Sequence, residues 1–282
     1  MATERSRDAR TLAEATVVTL VHALGDFEAP MILLGGLVPE ILTRDQTPLV
    51  PHHLGTNDAD ILLDMQVAAG ADLSPIERCL ERLGFAPEGI ASGWRWVGAV
   101  SGATMKVEFL CELDDQPAEV VVIATGCTKL GAMNLRGTGY VREDWQVVEL
   151  TGALPNGLIV SVPVRVAGLG GYLLAKATAL RNRSKDKDYY DFAYVLLYNR
   201  AGGPAQAADV LRRGRLAERI PTLTTLWREI LDRFGNTNRE GSIAYARQAK
   251  IAHPDSDAAL LRQDAVAAVA DFVEALNLGP LQ

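Results

Sequence analysis

Leu54-Gly55-Thr56-Asn57-Asp58-Ala59-Asp60-Ile61-Leu62-Leu63-Asp64-Met65 opens on a glycine and polar residues and then turns apolar. That pattern predicts a half-buried β-strand over Asp58 to Met65. In a strand, residues i and i+2 face the same side, so Asp58 and Asp60 would present two carboxylates to one face. Upstream, Met31-Ile32-Leu33-Leu34 is a short apolar strand that runs directly into Gly35-Gly36. A helix is expected from Leu37 to Thr43, beginning on those glycines, and then a polar, proline-bearing loop from Arg44 to Gly55. Downstream, Glu108 stands in the apolar strand Met105-Lys106-Val107-Glu108-Phe109-Leu110 and could add a third carboxylate from a neighbouring strand. Lys106 offers Glu108 a same-face charge partner, which is the plainer reading of that glutamate.

Three converging carboxylates repel one another and stay ionised only with positive charge between them. Hard oxygen ligands of this kind select Mg²⁺ or Mn²⁺. Two such ions, about 4 Å apart, clamp the attacking and leaving oxygens of an in-line phosphoryl displacement. The amides of Gly35 and Gly36 at a helix start suit an anionic triphosphate, and Thr56 could add a hydroxyl to the same phosphates.

The remaining chain frames this core. Apolar positions at helical spacing predict a first helix over Arg10 to Leu24. Ser74-Pro75-Ile76-Glu77 predicts a helix start with Ser74 as N-cap and Glu77 three residues on, the helix ending near Gly84. Strands are expected at Trp94–Val100, Thr104–Cys111 and Ala118–Ala124, with weaker ones at Gln146–Leu150 and Leu158–Val164. Trp94 and Trp96 alternate on the first of these and are expected to pack on one face. After Gly168 the pattern is helical: Tyr172–Arg181, Tyr189–Tyr198, Ala205–Leu211, Leu223–Phe234, Ser242–Ile251 and Ala258–Leu276. The expected class is therefore α+β, a mixed β-sheet with flanking helices over residues 1–168 and a helical domain over 169–282.

The 282 residues carry a formal net charge of −7, which argues against a protein that coats nucleic acid with its whole surface. Cys79, Cys111 and Cys127 are odd in number and lack metal-ligand spacing, so they read as buried thiols in a reducing cytosol. Met1 to Asp8 lacks an apolar signal core, and no apolar run reaches the roughly 18 residues of a membrane span. The chain reads as cytoplasmic, with no membrane partner.

The order apolar strand, Gly35-Gly36, helix, then Gly-Thr-x-Asp-x-Asp, then hydrophobic-Glu-hydrophobic resembles the nucleotidyltransferase superfamily of DNA polymerase β-like fold. Its G-[GS], D-x-D and third acid would correspond to Gly35-Gly36, Asp58-Ala59-Asp60 and Glu108; the third acid is more often Asp in that superfamily. The run from Leu173 to Phe192, with Lys176, Arg181, Arg183, Lys185, Lys187, Asp188 and Asp191, is similar to the K-x-x-A…D-x-[YF]-D segment of AbiEii/MenT-type nucleotidyltransferase toxins. The matching blocks span roughly residues 31–195. The resemblance implies a metal-dependent enzyme that moves a nucleoside monophosphate from an NTP to an acceptor hydroxyl, on a tRNA 3′ end or a protein, and releases pyrophosphate. It also implies Mg²⁺ or Mn²⁺, an antitoxin partner, active-site roles for Lys176 and Asp188, and a helical domain that completes the active site and the acceptor cleft.

The residues themselves leave other readings open. Lys176, Arg183, Lys185 and Lys187 form a basic cluster that could meet phosphates, or a solvated helical corner with Asp186 or Asp188 capping the second helix. Tyr189 and Tyr190 read as core residues rather than base-stacking ones. His52 and His53, adjacent loop histidines, read as solvated. Two other functions compete: small-molecule nucleotidyl transfer of the aminoglycoside type, and a catalytically inactive nucleotidyltransferase fold that serves as a binding module.

Overall fold

The computed structural model describes residues 5–43, 50–66, 70–89 and 93–278. Met1–Glu4 and the first half of the loop expected after Thr43, residues 44–49, lie outside them. The first elements are α1 (Arg7–Leu24), β1 (Met31–Leu34), a 3-10 turn at Gly35–Leu37, α2 (Val38–Thr43), β2 (Asp58–Leu63) and α3 (Ser74–Arg82). Then come β3 (Ala86–Pro87), β4 (Arg95–Val100), β5 (Ala103–Cys111), β6 (Val121–Ile123), β7 (Gly131–Asn134), α4 (Tyr140–Glu143), β8 (Trp145–Ala153) and β9 (Ile159–Ala167). Helices complete the chain: α5 (Leu169–Asn182), α6 (Asp186–Tyr198), α7 (Pro204–Arg213), α8 (Thr224–Arg233), α9 (Glu240–Ala252) and α10 (Ala258–Ala275). The α+β class expected from the sequence is what the structure shows.

The chain divides into two compact units. A sheet unit comprises Met1–Leu37 and Gly55–Ala167, and a helical unit comprises Val38–Leu54 and Gly168–Gln282. In the sheet unit the main strand order is β3-β4-β5-β2-β1-β9-β8, with β7 pairing β5 and β6 pairing β7. The sheet is mixed: β2 runs antiparallel to β1 and parallel to β5, and β9 runs parallel to β1 and antiparallel to β8.

Helix α1 begins where the Ser6 hydroxyl accepts the Ala9 amide at 3.1 Å, a side-chain cap. Its buried positions, among them Ala9, Ala13, Val17 and Leu20, pack across the strands. Gly152 on β8 lies so close to Ala15 and Val18 that an added β-carbon would stand 3.2 Å from Ala15 Cα. Gly152 pairs with Val160, two-residue steps along β9 reach Val166, and Val166 pairs with Leu33, which pairs with Ile61. That path puts Ala59 and Ile61 on the helix-covered face and Asp58 and Asp60 on the opposite face. Ala59, at 0 % exposure, and Ile61 are core.

Two local expectations change. Leu73, not Ser74, holds the cap position of α3, and the Asp72 carboxylate accepts the Ser74 amide at 2.9 Å. Glu77 does not turn back to close a capping box. It accepts the amides of Thr128, Lys129 and Leu130 at 3.1, 2.7 and 2.6 Å, three donors that a neutral side chain could not satisfy together. The strand expected over Ala118–Ala124 is confined to β6, while β8 and β9 exceed their expected lengths because they pair with each other along all nine residues.

The helical unit has an aromatic interior: Tyr189, Tyr190, Phe192, Trp227, Tyr245 and Phe272 are buried, so the Tyr pair at the start of α6 is core as expected. Tyr190 stacks on Tyr245, and Trp227 meets Phe272 edge-on at 5.3 Å. Among the described residues, no helix is long and apolar enough to cross a membrane.

Candidate active site

Asp58 and Asp60 stand two residues apart on β2, and β5 brings Glu108 into register beside Asp60. One carboxylate oxygen from each of the three lies within 4.8 Å of the others, and all three residues are half-buried. This is a donor set of hard oxygens able to hold a divalent cation.

The glycines explain why the acids can gather there. Gly35 has φ +74°, a left-handed conformation, and a β-carbon on it would overlap the Asp60 carboxylate. Register places Leu34 opposite Asp60, so the chain must turn away immediately after Leu34 to leave that carboxylate room. A β-carbon on Gly36 would stand 2.6 Å from Thr56 Cβ and Oγ1. Each glycine of the pair therefore makes space for one member of Thr-x-Asp-x-Asp. Thr56, itself buried, donates its hydroxyl to Asp58 Oδ1 and fixes that carboxylate. Gly55 Oxygen accepts Arg5 Nε at 2.7 Å, which ties the loop to the segment before α1.

Glu108 is not paired with Lys106. Arg95, its cross-strand neighbour on β4, donates Nε to Glu108 Oε1 at 2.7 Å and a terminal nitrogen to Glu88 Oε2 at 2.7 Å. Lys106 instead takes the other Glu88 oxygen at 3.1 Å. The Arg95 guanidinium lies 4.5 Å above the Trp94 ring. Trp96 is fully buried while Trp94 is half-buried under that guanidinium, so the two tryptophans do not share one packed environment.

In the helical unit, Lys176 Nζ donates to Asp188 Oδ1 at 2.9 Å and to Asp191 Oδ2 at 2.8 Å. Arg183 Nε donates to Asp188 Oδ2 at 2.9 Å. Burial pushes the Lys176 ammonium down, but Asp188 and Asp191 outweigh it and hold the group well above its ordinary value. Burial likewise pushes the Asp188 carboxyl up, and Lys176 with Arg183 brings it below the usual value. Asp188 is the third residue of α6 and Lys185 holds the cap position, so Asp188 is not an N-cap.

His53 departs from the expectation of a solvated loop residue. It is buried, its Nε2 lies 3.0 Å from Asp191 Oδ1, and its ring stacks on Tyr190 at 4.9 Å. The Leu54 amide donates to the Tyr190 hydroxyl at 2.9 Å, and His253 Nε2 donates to the His52 carbonyl at 2.8 Å. Sequence reasoning missed Arg95 and His53. Arg95 could have been found only from the β4–β5 register, and His53 carries no local signal because its partners are distant in sequence.

No family model matches the chain, and none of the curated proteins does. Among solved structures it is similar, at 13 % identity and a TM-score of 0.42, to a protein of H. pylori described as a "putative nucleotidyltransferase", with 98 % of this chain and 97 % of that one covered.

Proposed function

We propose that this chain is a metal-dependent nucleotidyltransferase of the AbiEii/MenT-like toxin branch, moving a nucleoside monophosphate from an NTP to an acceptor hydroxyl. The observation that carries the reading is the convergence of Asp58, Asp60 and Glu108 beside a glycine pair whose missing side chains give the acids and Thr56 their room. Asp58, Asp60 and Glu108 would hold the cation, and their all-oxygen chemistry fits Mg²⁺ or Mn²⁺. A divalent cation held there would neutralise triphosphate charge and charge that develops at the reacting phosphorus. Thr56 fixes Asp58, and Arg95 fixes Glu108, so both of these carboxylates are oriented before an ion arrives. The Gly35 and Gly36 amides are the donors assigned to a phosphate oxygen. In the reaction the acceptor oxygen bonds to the α-phosphorus, the bond from that phosphorus to the bridging β-phosphate oxygen breaks, pyrophosphate leaves, and the hydroxyl proton passes to solvent where Glu108 ligates the ion, or to Glu108 where it does not.

The same reading gives Lys176 and Asp188 parts in nucleotide handling. Lys176 spends two of its three ammonium hydrogens on Asp188 and Asp191, which leaves one for a phosphate oxygen. A tRNA 3′ end or a protein as acceptor, an antitoxin partner and a cytoplasmic location complete the proposal; Cys79, Cys111 and Cys127 are all free thiols, the first two buried as expected and Cys127 only half-buried.

The test incubates purified protein with α-labelled NTPs, Mg²⁺ or Mn²⁺, and in turn tRNA, cell-extract protein and aminoglycosides. Label on tRNA or protein is expected, with Asp58→Ala lowering the rate at least about a thousandfold. Label on an aminoglycoside alone would replace the toxin reading with the small-molecule one. No transfer to any acceptor, or transfer that survives Asp58→Ala, overturns the proposal.

A further inference from the structure

A cleft of about 540 Å³ opens in the sheet unit, and it reaches Ile61 on the face of β2 opposite Asp58 and Asp60. Val17 and Val21 of α1, with Leu33, Ile61 and Val164, give it an apolar wall. Its place follows from the strand lengths. β1 and β9 run parallel with Leu33 beside Val166, so β9 extends toward Ile159 past the start of β1 at Met31. Among the described residues, the chain from Gly25 to Ala29 borders that gap without a main-chain hydrogen bond to β9. Both faces of β9 therefore line the opening, Val164 from the side of α1 and Pro163 and Arg165 from the other.

The polar groups at this opening are few and of both signs. Arg165 is half-buried, and its guanidinium stands 5.1 Å from the centre of the Trp145 ring. In a chain of net charge −7 it has no carboxylate partner among the described residues. A guanidinium steadied by a ring keeps its planar fork for a carboxylate, which it grips through two parallel hydrogen bonds. Asp26 and Glu28 are exposed on the segment after α1 and have no cation bound to them among the described residues; His22 is the other ionisable side chain there. An apolar cavity of roughly 300–1,000 Å³ with a few polar groups is the usual make-up of a small-molecule site. We propose that the cleft binds a small apolar zwitterion of the free amino-acid class. Its carboxylate meets Arg165, its ammonium faces Asp26 and Glu28, and its side chain lies against Val17, Val21 and Ile61. The site is separate from the carboxylate cluster, and nothing in it depends on nucleotide chemistry.

The experiment titrates three probes that share one ring into full-length protein: L-phenylalanine, 3-phenylpropanoate, which lacks the ammonium, and phenethylamine, which lacks the carboxylate. Methyl-group nuclear magnetic resonance reads the binding, with thermal melting to verify that each variant folds. L-phenylalanine is expected to shift the methyls of Leu33, Ile61 and Val164, and to bind at least about threefold more tightly than either of the others. Arg165→Gln should weaken L-phenylalanine and 3-phenylpropanoate by about fivefold and leave phenethylamine unchanged. Asp26→Asn with Glu28→Gln, at exposed positions where folding is not at stake, should do the reverse, weakening phenethylamine and sparing 3-phenylpropanoate. No shift at these methyls with any probe up to its solubility limit overturns the inference. So does equal affinity for all three, which would mark an apolar cleft without charge recognition, and so does tightest binding of 3-phenylpropanoate or of phenethylamine, which would mark a site for an apolar anion or an apolar cation. None of these readings involves metal or NTP, so the outcome is independent of whether the transferase reading stands.

Discussion

Lys176 is buried in the helical unit between Asp188 and Asp191, and removing it strands two buried carboxylates with less compensation. Breaking a buried pair from one side costs about 3–5 kcal/mol, so Lys176→Met should lower stability by that much in urea unfolding at pH 7. The pH dependence follows from the two shifts. Asp188 is held below its unfolded value of 3.8, so its contribution is complete above that pH and is lost as pH falls through the folded value. Lys176 is held above 10.5, so its contribution is complete below that pH and is lost only as pH rises through the folded value. The gap between wild type and Lys176→Met should therefore be full at pH 7 and shrink toward pH 3; an equal gap at pH 3 would mean the carboxylates are not what the lysine stabilises. At this scale the sequence showed Asp58, Asp60 and Glu108, because alternation along a strand and an apolar setting leave local traces. It did not show that Lys176 is enclosed rather than solvated, since that takes a fold in which even its partner Asp191 is met by a residue 138 positions away, His53.

The carboxylate of Glu77 organises an element rather than a site. It gathers three successive backbone amides, Thr128 to Leu130, and the Thr128 hydroxyl at 3.1 Å, immediately before β7 begins. Hydrogen bonds to a charged acceptor are worth about 1.5–3 kcal/mol, more than a neutral amide could supply while presenting its own NH₂ to the same donors. Glu77→Gln should cost roughly 2 kcal/mol and speed hydrogen exchange at the Thr128–Leu130 amides before it affects β8 or β9; uniform acceleration would show that Glu77 stabilises the unit only globally. The Ser-Pro-x-Glu motif did mark where α3 begins, yet the glutamate answered to a loop about fifty residues on rather than to its own helix. β7 had no legible pattern for a related reason: Gly131-Ala132-Met133-Asn134 is a strand because β5 and β6 pair with it, not because its residues favour one. The helices of the last third were legible throughout, as amphipathic spacing is a local property that tertiary pairing rarely overrides.

At the scale of the whole molecule, the chain leaves the sheet unit after Leu37, returns at Gly55 and leaves again after Ala167. A division at residue 168, the natural reading of the composition shift, takes Val38–Leu54 away from the helices it belongs with. That segment is integral to the helical unit: Thr43, Leu42 and Leu54 all bond to it, the last through its amide to the Tyr190 hydroxyl, and His53 fills the space between Tyr190 and Tyr194 while meeting Asp191. Without the segment, the Tyr190 and Tyr194 rings lose an aromatic neighbour, about 0.5–1.5 kcal/mol, and Asp191 loses a buried partner, about 1–3 kcal/mol, against a total stability of order 10 kcal/mol. A fragment of residues 168–282 is therefore expected to be helical by circular dichroism but to melt without a cooperative transition. Supplying residues 38–54 as a covalently joined N-terminal extension should restore a sharp melt and near-ultraviolet signal from the buried tyrosines. A 168–282 fragment that already melts as sharply as the extended one would show that the helices are self-sufficient and that the segment is only laid upon them.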